Sequence, residues 1–351
     1  MITIRDISRR VVVRPMRTTF ATSLGSKRAA TSVLVKATLS DGASGWGEVP
    51  TSFVMPHETV EAIQGILTES REAFAGVAIE DYPVALGAFR RGREEFCMTL
   101  AGLEVALFRA SLACRGESEL DCWGAKARTI ETDITIPHAA SVEAVATWLD
   151  RAVRAGFSTY KIKVAGDVEK DIAFVGGIVE RLRRRAKTFT VRLDGNQGYT
   201  ARTYVNMIRA LEAARLGIEL FEQPLHKDDW VGLRKIRGVG AAPLILDETV
   251  FCARDCRRMI DDRLADGVNI KVAKSGIAES AAILRLARAA GLKLMIGCMT
   301  ETMVGLSAGI RLAAGTGAFD YVDLDSVHFL YHRGSPEGIA TAGPRYVLED
   351  R

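Results

Sequence analysis

The chain has 351 residues, 48% hydrophobic and 26% charged, an ordinary globular composition with ample apolar surface for a large core. The net charge of +4 is small and evenly spread, which leaves no case for nucleic acid as a partner. Cysteines at 97, 114, 122, 252, 256 and 298 form no Cys-x2-Cys pair and read as free thiols of a reducing compartment, not as zinc ligands. Met1-Ile2-Thr3-Ile4-Arg5-Asp6 alternates like a strand and not like a signal peptide, and no apolar run approaches a membrane span. These features predict a soluble cytoplasmic protein with no membrane partner.

Residues 1–125 are predicted to form an α+β unit. Val11-Val12-Val13 and Thr31 to Ala37 read as strands, Asp41-Gly42 as a hairpin turn, and Thr22 to Arg28 as a flexible polar loop. Helical periodicity follows from Glu58 to Phe74 and from Glu94 to Leu112, where Leu100, Leu103, Val105, Ala106 and Leu107 supply the apolar face.

From about Thr129 the pattern becomes strand, helix, strand, helix. Eight strands are predicted: Asp133 to Ile136, Thr159 to Val164, Phe189 to Asp194, Ile218 to Glu222, Leu244 to Asp247, Val268 to Lys271, Lys293 to Gly297 and Tyr321 to Leu324. One intervening helix places Val168, Ile172, Val175, Val179 and Leu182 on a single face, and ends in the basic run Arg181 to Arg185, which suits a solvated helix C-terminus. Residues near successive strand ends (Lys161, Asp194, Glu222, Asp247, Lys271, Gly297, Asp323) are 33, 28, 25, 24, 26 and 26 apart. That interval is one βα unit, and eight such units predict an α/β fold of (β/α)8 type over 126–325. Residues 326–351 are too few for a core of their own and are predicted to return to the cap.

In such barrels chemistry sits at the C-terminal strand ends. Strand two ends in Lys161-Ile162-Lys163. Residues two apart share a face, so two ammonium groups point the same way, and burial with mutual repulsion would lower a lysine pKa. Alone, the pair also fits an exposed edge strand with two solvated lysines. Strands three, four and five end in Asp194, Glu222 and Asp247, the last followed by Glu248. Three buried carboxylates on adjacent strands call for a hard cation, and an all-oxygen site with open positions suits Mg2+, the alternative being carboxylates paired with the lysines alone. Strand six ends in Asn269-Ile270-Lys271, four strands from strand two, so Lys163 and Lys271 should face each other across the mouth. Asp323 and Asp325 on strand eight point together from the side opposite Glu222. Jointly these describe a substrate with a carboxylate at the metal, an acidic C–H between two amines, and a cationic group at the acid pair.

These residues resemble the pattern of the enolase superfamily, muconate-lactonizing subgroup, and most of all dipeptide epimerases of the L-Ala-D/L-Glu type. The resemblance spans nearly the whole chain, through Gly45-Trp46-Gly47-Glu48, Lys161-Ile162-Lys163, Gly217 to Pro224, Asp247-Glu248, Asn269-Ile270-Lys271 and Gly297-Cys298-Met299. It implies Mg2+ on Asp194, Glu222 and Asp247, and acid/base roles for Lys163 and Lys271. It implies that Lys161 binds the substrate carboxylate and lowers the pKa of Lys163. Asp323 and Asp325 would hold the α-ammonium, and Thr135 and Met299 would line the pocket. The reaction implied is inversion of the α-carbon of a dipeptide's C-terminal residue through an enediolate. Members acting on Ala-Glu carry an arginine in the early loop; here Ala21 stands at the simplest match, with Lys27 and Arg28 the nearest basic residues. His328 and His332 lie outside the pattern and read as surface or packing residues.

The alternative on the same lysines is an N-acylamino-acid racemase, an o-succinylbenzoate synthase or a muconate-type cycloisomerase. Substrates of those enzymes lack a free ammonium, which would leave Asp323 and Asp325 without a purpose. A non-catalytic binding protein would lack a base or a ligand, and none is missing. A symmetric homo-oligomer is the general expectation for such chains.

Overall fold

The computed structural model describes residues 1–331 and 336–349. Strands β1 (Ile4–Thr22), β2 (Gly25–Leu39) and β3 (Ser44–Pro50) form an antiparallel sheet. Val33, Val35, Ala37 and Leu39 alternate along β2 and are all buried, so one face of the sheet carries the core of the cap. The stretch Thr22–Arg28 is not the flexible loop expected. Only Ser23 and Leu24 separate β1 from β2, and Phe20 pairs with Lys27. A two-residue connection fixes the register and carries the ladder to the tip.

Helices Val60–Phe74, Tyr82–Arg90 and Cys97–Arg115 pack on that face. Cys97–Arg115 is buried from Met98 through Leu112, because it lies between β3 and the barrel helix Val272–Ala289. By length and hydropathy it could cross a membrane, which corrects the reading that no run approaches such a span; 83% of its most apolar window is buried inside the fold. Gly45 and Gly47 allow β3 to lie directly on it. A Cβ at Gly45 would stand 2.2 Å from Ala106 O, and one at Gly47 would stand 2.0 Å from Gly102 O. The Gly-Trp-Gly-Glu stretch is therefore a packing motif in its glycines.

After β4 (Thr129–Glu131) come eight parallel strands: β5 (Ile134–Ile136), β6 (Thr159–Lys163), β7 (Thr190–Asp194), β8 (Phe221–Glu222), β9 (Leu244–Leu246), β10 (Gly267–Ile270), β11 (Lys293–Gly297) and β12 (Tyr321–Asp323). They stand in sequence order around a nearly closed barrel. At the seam between β12 and β5, Asp133 N–H donates to Val322 O at 3.2 Å and Leu324 N–H to Thr132 Oγ1 at 2.7 Å. All eight strands sit where the repeat predicts them. On the helix Val168–Arg185 the buried stripe is Phe174, Val175, Ile178, Val179 and Leu182, whereas Val168 and Ile172 are half-buried. The face is turned because Asp171 is drawn inward to accept the N–H groups of Ala165 and Gly166 and the hydroxyl of Tyr199.

Strands β13 (Ile339–Ala342) and β14 (Arg345–Leu348) form a hairpin that pairs with β4. Just before it, Leu330 bridges to Met16, and Tyr331 N–H donates to Pro15 O at 3.1 Å. The residues after β12 therefore touch both the cap sheet and the barrel. His328 packs between the Phe157 and Tyr346 rings, at 5.0 and 5.8 Å. His332 lies outside the described residues.

Candidate active site

Strand alternation sends Lys161 and Lys163 into the barrel. Register then sets Thr135 beside Lys161 beside Arg192, and Lys163 beside Asp194 beside Glu222. One residue layer lower, Leu220, Ile245, Met295 and Tyr321 plug one half of the interior with apolar side chains. The other half is charged: Arg192 bonds Asp133 at 2.7 Å and Glu219 at 2.6 Å, and lies 5.2 Å from the centre of the Tyr321 ring.

Each of the three carboxylates predicted to bind metal is held by lysine. Lys163 Nζ donates to Asp194 Oδ2 at 2.5 Å. Lys161 Nζ donates to Glu222 Oε2 at 3.0 Å, stands 3.6 Å from Asp194 Oδ2, and contacts Asp323 Oδ2. Lys271 Nζ lies 2.6 Å from Asp247 Oδ2. Sequence reasoning missed Lys274, which bonds Asp247 Oδ1 at 2.7 Å, and Asn269, which donates to Glu222 Oε1 at 2.7 Å. Nothing in the sequence marks Lys274 apart from its spacing to Lys271. Asn196, Gln197 and Gln223, just beyond the strand ends, have positive φ of 39°, 70° and 30°. Backbone strain of this kind gathers at functional sites and leaves no mark in composition.

Five buried cations (Lys161, Lys163, Arg192, Lys271, Lys274) face seven buried carboxylates (Asp133, Asp194, Glu222, Asp247, Glu248, Asp323, Asp325). The excess negative charge is visible in the titration of the least compensated groups. Burial, with Asp247 and Asp194 nearby, pushes Glu248 up to about 8. Burial and Asp323 push Asp325 up to about 6. Glu248 Oε2 and Asn196 Oδ1 are buried without a hydrogen-bond partner at the pocket wall. An all-oxygen donor set in which buried carboxyl groups outnumber their cations fits a divalent cation such as Mg2+. A second acidic group, Asp133, Asp323 and Asp325, has carboxylate oxygens within 4.8 Å of one another. Arg192, Lys161 and the Thr135 N–H, which lies 2.6 Å from Asp325 Oδ2, supply partners there, while Asp133 Oδ1 and Asp323 Oδ1 are buried without one.

The expected depression of lysine pKa does not hold for Lys161 and Lys271 in this arrangement. Burial alone pushes both down, but Asp323, Glu222 and Asp194 around Lys161, and Asp247 and Glu222 around Lys271, carry them above the ordinary lysine value.

Part of this set opens onto one cavity of about 660 Å³, itself partly continuous with solvent, whereas Asp194, Glu222 and Asp247 lie behind the lysines and do not line it. Lys161, Lys163, Lys271, Asp323, Asp325, Thr135 and Met299 all line it. The cap adds Phe20, Leu24 and Phe53 at the mouth. Of the early basic residues, Lys27 reaches this cavity: its Nζ contacts the Thr300 hydroxyl and stands 3.3 Å from Thr51 O, and burial lowers it to about 8. Arg28 is exposed and bonds Thr19, while Ala21 O accepts from His138 N–H.

An enolase C-terminal domain-like family model matches residues 144–350, more than half of the chain. The chain belongs to the enolase C-terminal domain-like family. Within it, an L-Ala-D/L-Glu epimerase of Bacillus subtilis (strain 168) is 34% identical over 326 residues, covering 92% of this chain and 88% of its own. An aromatic dipeptide epimerase of Herpetosiphon aurantiacus is 31% identical over 350 residues, covering 99% and 97%. The substrate-liganded L-Ala-D/L-Glu epimerase from Bacillus subtilis superposes with a TM-score of 0.90 at 31% identity, covering 99% of this chain and 96% of that one. The dipeptide epimerase from Enterococcus faecalis V583 complexed with Mg and L-Leu-L-Tyr gives a TM-score of 0.90 at 27% identity, with 99% and 98% covered. The family assignment agrees with the resemblance read from the strand-end residues, and the relatives are isomerases. Their named dipeptides differ, so relationship alone does not select a substrate.

Proposed function

We propose that this chain is a Mg2+-dependent dipeptide epimerase that inverts the α-carbon of the C-terminal residue, using Lys163 and Lys271 on opposite faces. The observation that carries this is a single cavity lined by both lysines, from β6 and the end of β10, and by Asp323 and Asp325. Those strands are four apart in a ring of eight, so an α-carbon held between them presents one face to each amine.

Asp194, Glu222 and Asp247 would hold the cation. Bound Mg2+ would supply fixed positive charge against which a substrate carboxylate can accept further negative charge as its α-proton leaves. Lys161 would bind that carboxylate. Asp323 and Asp325 would take the ammonium at the other end, where Asp323 Oδ1 is buried without a partner. One lysine removes the α-proton and the opposite one returns a proton to the other face, which inverts the centre. Thr135 and Met299 would line the pocket, and the aromatic mouth would keep water from the reacting carbon. We take 1–125 as the cap, 126–325 as the catalytic barrel and 326–351 as a closing segment, and infer a cytoplasmic location.

The test is a dipeptide library incubated in D2O with Mg2+, read by α-deuterium incorporation and by epimer ratio. Exchange at the C-terminal α-carbon of free-amine dipeptides is expected. Exchange confined to N-acylated amino acids would move the reading to a racemase of those compounds.

A further inference from the structure

Among the described residues, Asp247 alone has a separate lysine on each carboxylate oxygen. Lys271 lies 2.6 Å from Oδ2, while Lys274 lies 2.7 Å from Oδ1 and 2.5 Å from the Asp247 carbonyl oxygen. The two amines differ in where they can go. Lys271 lines the cavity and Lys274 does not. Lys271 is the N-cap, in extended backbone, of the helical turn that holds Lys274 and is cut off at Gly276 (φ 75°, ψ −169°). Their common partner Asp247 places the two amines on one side of that turn. The Lys274 stem is fully buried, and its Nζ lies 5.2 Å from the centre of the Phe251 ring. Carbonyl, carboxylate and ring face thus surround the Lys274 amine, with no outlet to the substrate.

We propose that Lys274 is a positioning residue, the permanent counter-ion of Asp247, whose hold on Oδ1 releases Lys271 from Oδ2 to serve the substrate. This rests on the reading of Lys271 as an acid/base group and of Asp247 as a cation ligand. A buried carboxylate with one cation holds it tightly, because leaving it unpaired is costly. Two lysines divide the task. Lys274 fixes the carboxylate and its backbone, and Oδ2 remains open to either the divalent cation or Lys271. On the Lys163 side, among the described residues, Asp194 Oδ1 accepts the Asn196 N–H at 2.8 Å, and its second lysine, Lys161, stands 3.6 Å from Oδ2, the oxygen that Lys163 already holds.

The first measurement uses the wild-type protein with 13C-labelled lysine, titrated with Mg2+ alone and read by NMR at the ε-carbons. Signals are assigned by their loss in Lys271→Ala and Lys274→Met. The Lys271 signal should move on Mg2+ addition and the Lys274 signal should stay. Movement of Lys274, or of neither lysine, overturns the proposal. The second measurement is α-deuterium exchange from each epimer by Lys274→Met, which keeps the stem and removes the charge. Exchange through the Lys271 face should fall about tenfold or more relative to the Lys163 face. Lys274→Arg should restore much of the balance. Equal loss on both faces would mean a merely structural part for Lys274. Loss of face selectivity in Lys271→Ala itself would instead remove the two-base reading. If Lys274→Met does not fold, the wild-type titration with Lys271→Ala and Lys274→Arg still decides.

Discussion

The Glu48 carboxylate of the cap accepts the backbone N–H of Thr302 at 2.8 Å, and with it the Thr302 hydroxyl at 2.5 Å and the Gly305 N–H at 2.9 Å. These are orphan donors at the start of the barrel helix Met303–Thr316. Glu104 does the same for Ile277 and Ala278, at 3.1 and 3.0 Å, where the backbone restarts after Gly276. Carboxylates of the cap thus complete helices of the barrel, with the charge at the favourable end of each dipole.

Glu48→Ala should accordingly destabilise the protein by about 2–4 kcal/mol, since it strands several buried donors at once. Glu48→Gln should cost less. Urea unfolding checks both. A loss below about 0.5 kcal/mol for the alanine variant would mean that water replaces the carboxylate without cost.

A pH dependence follows from the neighbouring Glu301. Burial and the charge of Glu48 raise its carboxyl to about 8. The folded chain therefore keeps a proton that the unfolded chain releases above its ordinary value near 4.5. Between those limits the native state binds more protons, so this group's stabilisation is full at the acid end and is lost as pH rises towards about 8. Its contribution changes by at most about 1.4 kcal/mol per pH unit. Glu301→Gln should flatten the stability–pH profile in that window. An unchanged slope would show that Glu301 titrates normally.

The metal reading predicts that EDTA abolishes turnover and that Mg2+ restores it. Asp247→Asn should weaken Mg2+ binding by about an order of magnitude or more, measured by calorimetry on the substrate-free protein. Full activity in chelated protein would contradict the assignment of Asp194, Glu222 and Asp247.

The lysines should be stereochemically distinct. Lys163→Ala should stop α-proton exchange from one epimer and Lys271→Ala from the other, and either change should stop net inversion. If one variant still epimerised in both directions at a substantial rate, single-base chemistry would replace the two-base scheme.

Asp323→Asn should cut kcat/KM for a free-amine dipeptide by about one to two orders of magnitude, the worth of a charge-assisted hydrogen bond to a desolvated ammonium. It should harm an N-acylated dipeptide much less. Equal loss on both compounds would trace the effect to the Asp323–Lys161 contact and not to substrate charge.

The barrel and the set of site residues were legible because both are periodic. A repeat near 26 residues with Lys, Asp or Glu at successive strand ends assigns each side chain to a strand, and strand order assigns its neighbours. What escaped depends on contacts across the barrel or between the cap and the barrel. The upward shift of Lys161 arises from Glu222 and Asp323, on β8 and β12. Asp133 shows itself beside the acid pair only once the seam brings β5 to β12. Glu104 carries a signal in the sequence, as a lone acid within an apolar helix, and its carboxylate accepts two backbone N–H groups of another helix. The β1–β2 tip was misread because Ser23, Gly25, Ser26 and Lys27 look like loop residues, whereas register and not composition extends the ladder to Thr22 and Gly25.

The contact of Gly45 and Gly47 with helix Cys97–Arg115 has a mechanical consequence. That helix also grips the barrel, through Glu104 and through Arg109, which donates to Val304 O and Ser307 Oγ, each at 2.8 Å. The helix is thus fixed to the cap sheet on one side and hydrogen-bonded to the barrel on the other, which resists a jaw-like swing of cap on barrel. The β1–β2 tip is joined to the barrel more lightly, by His138 N–H to Ala21 O at 3.1 Å and by the Ser23 hydroxyl to Asn196 O at 2.5 Å. Thr22 and Leu24 of that tip line the cavity, so a loop-scale opening there would uncover it without moving helix Cys97–Arg115.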